Sequence, residues 1–419
     1  MHILIRGKRD SIYTPAMLLL ILIVGISFLG LGFIMPLRSA YGRQLGASSF
    51  EIGLLASSFL LAGFIASPFI GWLSDRFGYR RILTVGLCMH MLLMLAYIPV
   101  QDPVLLIGLR VLEGIASASV LPPSRALVNV IAPSNRQGEA LGILSAAQAV
   151  GVLLGPVFGT LLASQVGYAP SFLFASLSLA LALIASIFLP KGAAANSEQS
   201  ATAAFKLAAF DGLFTRPLSL AYTLQLVTQI MQGVIAAVWT LYMLDRGASL
   251  PMIGISFTTF ALPLIFFTPP LGRLSDRYGR YWLVVAGVLL YGIVFCIYAL
   301  QLSPLWLVIL SVVEGISVAI QNGGVSGLLA DATPPGTQGK VQANFTAAGA
   351  FGSFLGATFS GLLYTYNPSI PFLVAGIMGL LLCGALFLPA IAHIFPTMHQ
   401  NITFPIPEEP LDEAIESLR

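Results

Sequence analysis

Residues 71–81 read G-W-L-S-D-R-F-G-Y-R-R, and residues 272–280 read G-R-L-S-D-R-Y-G-R. Both polar stretches interrupt a chain of 419 residues that is 57% hydrophobic and only 9% charged. A shift of 201 residues lays Gly71 on Gly272, and the same shift matches the chain to itself without a gap from about Gly53 to Leu162. Gly53 falls on Gly254, Pro68 on Pro269, Glu113-Gly114 on Glu314-Gly315, Pro133 on Pro334, and Gln137-Gly138 on Gln338-Gly339. Gly151 and Gly155 fall on Gly352 and Gly356. A repeat this long is a duplicated folding unit, and the decisive question is which solvent surrounds it.

Water is excluded as the main solvent, because a soluble globular chain carries about 25% charged residues. Apolar stretches of the length needed to cross a hydrocarbon core of ~30 Å recur along the chain. They are predicted at 16–37, 52–71, 82–101, 104–128, 140–164, 171–189, 217–243, 252–271, 281–301, 304–330, 341–365 and 371–394, twelve in all. The first follows Arg6, Lys8 and Arg9, but it is too long for a signal-peptide core. Met35-Pro36-Leu37-Arg38 is no small-residue cleavage site, so segment 1 is read as a retained helix.

Basic residues fix an expected orientation. Arg76, Arg80, Arg81, Arg136, Lys191, Lys206, Arg216, Arg273, Arg277, Arg280 and Lys340 fall in loops on the side of the N-terminus. The other side has only Arg38, Arg43 and Arg246. The positive-inside rule then places both termini in the cytoplasm, in the cell inner (plasma) membrane. The net charge of +3 is accounted for by these topological signals and calls for no nucleic-acid partner. Cys88, Cys296 and Cys383 lie in apolar segments without ligand spacing, so neither a metal nor a disulfide is expected. Asn401-Ile402-Thr403 matches a glycosylation acceptor but falls in the cytoplasmic tail.

An even number of spans per repeat puts equivalent loops on the same membrane face, as the charges require. The fold class expected is an all-α membrane protein, two pseudo-two-fold related six-helix bundles at 1–189 and 217–394. Between them, 190–216 is a cytoplasmic linker, polar at first and then amphipathic through Phe205, Leu207, Phe210 and Phe214. Residues 395–419 form an acidic tail. Two such halves can rock about a shared midplane site, which is alternating access.

At these residues a family becomes recognisable. G-x-L-S-D-R-F-G-x-R-R between segments 2 and 3 resembles the signature loop of the major facilitator superfamily, and the second copy between segments 8 and 9 is its degenerate partner. L-R-V-L-E-G around Arg110 resembles that superfamily's second motif, and G-V-L-L-G-P-V-F-G at 151–159 its third, associated with exporters that exchange substrate for protons. The chain looks most like the twelve-helix drug:proton antiporters. It departs from them in carrying Glu113 where the second motif usually has Gln, and in having no acidic residue in segment 1. The resemblance implies a monomer and no cofactor. It also implies that Asp75, with Arg76 and Arg81, locks against segment 11 of the other half when the cavity faces out. Gly71 and the Gly78 turn shape that gate, and Gly272, Asp276 and Arg277 are its second copy. The plainer explanation is a tight turn bearing topological charge.

Arg110, Glu113 and Glu314 carry the sharpest chemistry. Each charge in hydrocarbon costs ~2.5–3.5 kcal/mol on insertion scales, so such residues face a partner or a cavity. Arg110 and Glu113 are three apart on one helix face and close enough to pair. The repeat puts Glu314 opposite Glu113 but Ser311 opposite Arg110. Segments 1, 4, 7 and 10 line the cavity in the resembled family, so both glutamates are expected to face the central axis. Glu113, beside a cation, is expected to stay ionised, and Glu314 is the better proton carrier. The alternative is a pair of structural ties inherited from the duplication.

Gln225, Gln229 and Gln232 form a polar stripe on segment 7, with Trp239 two turns on. Glu314, Ser317 and Gln321, followed by Asn322, share a face of segment 10. These residues and Met35 are the expected substrate wall. Ser27, Phe28 and Phe33 on segment 1, Gln148 and Asn344 are weaker candidates. Amides in a lipid span serve equally as interhelical glue. Gly151, Gly155 and Gly159, spaced by four with Pro156 among them, predict a close, kinked contact across the interface between the halves. His90 is expected to face lipid or packing neighbours.

The leading functional reading is proton-coupled efflux of small lipophilic or cationic compounds. A sugar or metabolite transporter of the same fold is the alternative, and a membrane sensor that transports nothing is a third. No nucleophile–base pair, metal-spaced cluster or phosphate loop speaks for an enzyme or an ATP-driven pump.

Overall fold

The computed structural model describes residues 12–190 and 214–388, with Asp276 and Tyr278 placed by their backbones alone. Arg6, Lys8 and Arg9, linker residues 191–213 with Lys191, Lys206 and the amphipathic Phe205, Leu207 and Phe210, and the tail with Asn401–Thr403 lie outside the described residues. So does the Asp276 side chain.

Twelve apolar helices account for nearly all that is described. They are α1 (Pro15–Gln44), α2 (Ser49–Phe77), α3 (Tyr79–Ala96), α4 (Pro103–Ile131), α5 (Gln137–Val166) and α6 (Tyr168–Ile187). After the undescribed linker come α7 (Arg216–Asp245), α8 (Leu250–Tyr278), α9 (Arg280–Tyr298), α10 (Pro304–Ala332), α11 (Gln338–Tyr366) and α12 (Ile370–Leu386). Eleven are long and apolar enough to span a membrane, and α12, at 17 residues, is the short one. At ~1.5 Å per residue it still reaches the lower limit for a crossing.

Local chemistry sets the ends. A capping box holds the start of α2: the Glu51 backbone N–H donates to Ser48 Oγ at 3.3 Å, and Ser48 N–H donates to Glu51 at 2.7 Å. The turns between α2 and α3 and between α8 and α9 each rest on one residue, Gly78 at φ 92° and Gly279 at φ 93°. A side chain is disfavoured in that conformation, so the repeat keeps glycine at both. Pro122 and Pro123 supply no backbone N–H, and α4 breaks at residues 118–120 into Pro103–Ser117 and Leu121–Ile131. The matching positions of α10 are Gly323 and Gly324, and α10 runs through.

Segment 1 is longer than expected. It passes an interruption at Ile34, with Pro36 opening the next turn, and continues to Gln44. Arg38, expected in an outer loop, is therefore inside a helix and only 10% exposed.

Apolar residues face both ways. Tyr97, Phe172, Phe295, Tyr298 and Phe372 are buried, whereas Leu181, Phe188, Trp282, Trp306 and Leu381 are more than half exposed. That is the arrangement of a bundle whose outer solvent is lipid.

Helix pairs approach through glycine. The Gly151, Gly155 and Gly159 face of α5 lies on the backbone of α1; a Cβ on Gly155 would stand 2.7 Å from the Gly32 carbonyl carbon and Phe33 N. The expected contact of this stripe across the halves is thus a contact within the first six helices. Gly352 and Gly356 of α11 lie in the same way on Leu226 and Ile230 of α7. The largest contacts that cross between the two sets of six are α2 with α11 and α5 with α8, and α7 also touches α2 and the end of α1. A Cβ on Gly53 would stand 2.7 Å from Gly361 Cα, and one on Gly254 2.6 Å from the Pro156 carbonyl and closer still to Thr160. Thr258 Oγ1 donates to the Leu153 carbonyl at 2.6 Å. Gly53, Gly254, Thr160 and Gly361 all lie towards the end of the bundle where α1 finishes, the far end. Arg43 and Asp245 form a 3.4 Å ion pair there between the two sets.

Candidate functional site

Beneath the far-end closure lies a cavity of about 680 Å³, its mouth included. Its walls come from both sets of helices: Met35 of α1 and Val152 and Pro156 of α5 face Gln232, Ala236 and Trp239 of α7, Phe257 and Phe260 of α8, and Ser311 and Glu314 of α10. All but a few of these side chains are apolar or aromatic, so a carboxylate in this wall has little competition for a ligand's charge. Met35 is 40% exposed and Ala236 is also open, whereas Glu314 is 2% exposed.

Glu314 is held on one side only. Tyr298 on α9 donates to Glu314 Oε2 at 2.9 Å, while Glu314 Oε1 has no hydrogen-bond partner. Tyr298 is fixed in turn by the Trp239 ring, 4.8 Å away. Trp239 Nε1 donates to Ser256 Oγ at 2.8 Å. Gln232 Nε2 donates to the hydroxyl of buried Tyr291 at 2.8 Å. An aromatic shelf therefore aims a single carboxylate into the cavity.

The first six helices hold the counterpart. Tyr97 donates to Glu113 Oε2 at 2.9 Å, matching Tyr298 on Glu314 under the same shift of 201 residues. Here both oxygens are occupied. Arg110 Nη1 donates to Oε2 at 2.9 Å, and Arg38 bonds Oε1 through Nη2. Arg110 Nε donates to the Leu55 carbonyl at 3.0 Å, and its guanidinium lies 4.2 Å from the centroid of Phe59. The expected Arg110–Glu113 pair is therefore a triad with Arg38, sealed inside the first six helices. Glu113 is 1% exposed and does not line the cavity; only Glu314 faces the central axis. His90, expected to face lipid or packing neighbours, is fully buried behind the triad, with Nδ1 3.3 Å from the Gly86 carbonyl.

The structure divides the expected substrate wall. It brings Gln232, Trp239 and Met35 to the cavity. Gln225 and Gln229 lie on Gly349 and Gly352 of α11, so these amides fill helix–helix space. Ser317 is buried and donates to the Glu314 carbonyl at 2.6 Å. Gln321 packs over Gly287 of α9, and Asn322 is exposed beyond the cavity wall. Ser27 turns back on the Ile23 carbonyl at 2.6 Å.

At the near end, the described partners of Asp75 and Arg76 come from their own half. Asp75 accepts from Tyr79 Oη at 2.9 Å, and Arg76 lies over Trp72 and Phe77. Arg81 and Arg277 are exposed, and no atom lies within 4 Å of a Cβ built on Gly71 or Gly272.

Sequence reasoning missed Arg38, Tyr97, Tyr298 and Tyr291. The signal was available, because the 201-residue shift holds upstream of Gly53: it lays Gly32 on Gly233, Tyr41 on Tyr242 and Gly46 on Gly247. Within the range already matched it lays Tyr97 on Tyr298, and extended upstream it lays Arg38 on Trp239.

Known proteins resemble this chain in sequence and in fold. A multi-drug resistance efflux pump PmrA homolog from Lactococcus lactis is 30% identical over 330 residues, covering 74% of this chain and 79% of its own. The quinolone resistance protein NorA of Staphylococcus aureus is 25% identical over 372 residues, 85% of this chain and 91% of its own. An uncharacterized MFS-type transporter from Methanocaldococcus jannaschii is 28% identical over 342 residues, 80% and 88% respectively. Among solved structures, the nucleoside transporter NupG superposes with a TM-score of 0.74 at 15% identity, over 92% of this chain and all of its own. A POT family transporter in complex with 5-aminolevulinic acid superposes with 0.75 at 12% identity, over 91% and 98%. These likenesses carry the fold: twelve helices in two sets of six. The sequence profile of the Major Facilitator Superfamily matches residues 20–231 and 218–410, nearly the whole length, and the chain belongs to that superfamily.

Proposed function

We propose that the chain is a proton-coupled exporter of small lipophilic cations that works by alternating access, with Glu314 as the group that proton and substrate share. The observation that carries the reading is Glu314 Oε1, a buried carboxylate oxygen without a hydrogen-bond partner on a residue that lines a mostly apolar and aromatic cavity. A buried charge needs a counter-charge or a proton. Cation and proton can therefore replace one another on this oxygen, and that exclusion is what exchange of one for the other requires. The names of the PmrA homolog and NorA support the drug-export side of the reading.

In this reading the near end, with its basic loops, is cytoplasmic, and both termini lie there. The far end is closed by Gly53 on Gly361 and Gly254 on Pro156, so the cavity faces the cytoplasm. Asp75 bonded to Tyr79 of its own half fits that state, since its lock belongs to the opposite one. The helices 1–189 and 217–394 rock as two bodies about the cavity, with the protein acting as a monomer.

The test uses purified protein in proteoliposomes with an imposed pH gradient and ethidium as a fluorescent lipophilic cation. Gradient-driven ethidium movement is expected, and Glu314→Gln is expected to abolish it while the protein inserts normally. Movement that survives collapse of the gradient, or that Glu314→Gln leaves unchanged, overturns the proposal.

A further inference from the structure

The two glutamates share a repeat position, so the surroundings of one can be laid on the other residue by residue. Around Glu113 a guanidinium is already bound, and it belongs to the chain itself. Arg110 presents Nη1 to the carboxylate at 2.9 Å, Nε to the Leu55 carbonyl at 3.0 Å and its flat face to Phe59 at 4.2 Å. Under the 201-residue shift, Glu113 becomes Glu314, Leu55 becomes Ser256, Phe59 becomes Phe260 and Arg110 becomes Ser311. Glu314, Ser256, Phe260 and Ser311 all line the cavity.

The binding surfaces are therefore kept and the guanidinium is removed. Even a small detail repeats. Ser58 Oγ donates to the Leu55 carbonyl at 3.3 Å, and Thr259 Oγ1, its equivalent, donates to the Ser256 carbonyl at 3.0 Å. Ser311 is too short to reach the carboxylate and instead shares a 2.6 Å hydrogen bond with Thr259 Oγ1. The second guanidinium is gone as well. Arg38, which occupies Glu113 Oε1, corresponds to Trp239, whose Nε1 turns to Ser256 Oγ. Loss of the Arg38 equivalent leaves Glu314 Oε1 without a partner, and loss of the Arg110 equivalent leaves Oε2 with Tyr298 alone.

We propose that the cavity binds a planar, delocalised cation, a guanidinium or amidinium, in the place that Arg110 fills beside Glu113. The inference rests on the reading of this cavity as the transport site. The class follows from geometry. A guanidinium offers several N–H donors in one plane and stacks on an aromatic face, so it meets Glu314 and Phe260 together. A quaternary ammonium has no N–H to give the carboxylate, and a primary ammonium has no flat face to lay on Phe260.

The experiment is calorimetric titration of the full-length protein in lipid nanodiscs with phenylguanidinium and with phenyltrimethylammonium. Phenylguanidinium is expected to bind about tenfold more tightly, the scale of one charge-assisted hydrogen bond. Ser311→Arg puts the missing guanidinium back and is expected to abolish phenylguanidinium binding. Ser311→Met, of similar bulk but neutral, is expected to keep a measurable part of it. Should Ser311→Arg fail to fold, Glu314→Gln removes the charged acceptor and is expected to erase the preference between the two cations, while Phe260→Leu removes the flat face and is expected to weaken phenylguanidinium binding. Equal affinities in the unmodified protein overturn the inference, as does a preference that survives Glu314→Gln or Ser311→Arg. If both cations move equally well with an imposed pH gradient, the inference fails and the export reading stands. If neither moves, the export reading fails and takes the inference with it.

Discussion

Glu113 and Glu314 occupy one position of the repeat and differ only in company. Glu113 neutralises one of two buried guanidiniums, and the partners satisfy both its oxygens. Glu314 has a hydroxyl on one oxygen and no hydrogen-bond partner on the other. Removing a member of a buried charge network strands the rest, at a cost of about 3–5 kcal/mol. Glu113→Gln would leave Arg38 and Arg110 facing each other without a carboxylate, and is expected to lower the melting temperature of the solubilised protein strongly. Glu314→Gln removes a lone charge and keeps a group that accepts from Tyr298, so its melting temperature is expected to stay level or rise. Thermal melts of the two variants side by side decide this. Equal losses would mean that Glu314 is paired in the folded protein after all. The same contrast separates the paired glutamate from the one proposed to carry transport, without any substrate.

At the scale of helices, glycine decides which surfaces touch, and it does so in two distinct settings. Gly155 lies against α1 within one set of six, where the contact persists whatever the two sets do. Gly254 lies against Pro156 and Thr160 across the two sets, where the proposed rocking would break the contact as the far end opens. Overpacking a close contact costs about 1–3 kcal/mol. Gly155→Val is therefore expected to lower the melting temperature, whereas Gly254→Val is expected to spare it and open the far end instead. Accessibility of a cysteine placed at Ala236, on the cavity wall, to a reagent applied from the far side reads the second outcome. A Gly254→Val protein as closed as the unmodified one, and less stable, would show that the far-end contact is permanent. The twelve spans and the glycine spacing were legible in the sequence, because lipid solvent and helical period leave plain marks. The partner of the α5 stripe was not, since a glycine face tells that a backbone comes close and not which one. Arg38 was misplaced for a related reason: a charge after Pro36 looks like a loop until Glu113 is known to lie beside it.

At the scale of the whole molecule, two kinds of contact close the far end, and their sizes differ. Arg43 and Asp245 pair at 3.4 Å with side chains 45% and 29% exposed. Tyr364 donates to the other Asp245 oxygen at 2.8 Å and keeps it in place. An exposed pair of this kind contributes about 0–1 kcal/mol, so its loss shifts the balance between closed and open by roughly fivefold at most. The helix contacts at Gly53 and Gly254 bring backbone against backbone, and a side chain there excludes the closed state outright. The closure is thus governed by helix shape, with the ion pair as a trim on the equilibrium. Spin labels on the 45–48 and 246–249 loops, read by pulsed electron resonance, test the ranking. Arg43→Ala is expected to leave the short-distance population in the majority, and to leave it there at high salt, where the pair is screened. Gly254→Leu is expected to move most molecules to the long distance at any salt concentration. If Arg43→Ala opens the far end as fully as Gly254→Leu does, the ion pair is the latch and the helix contact merely follows it.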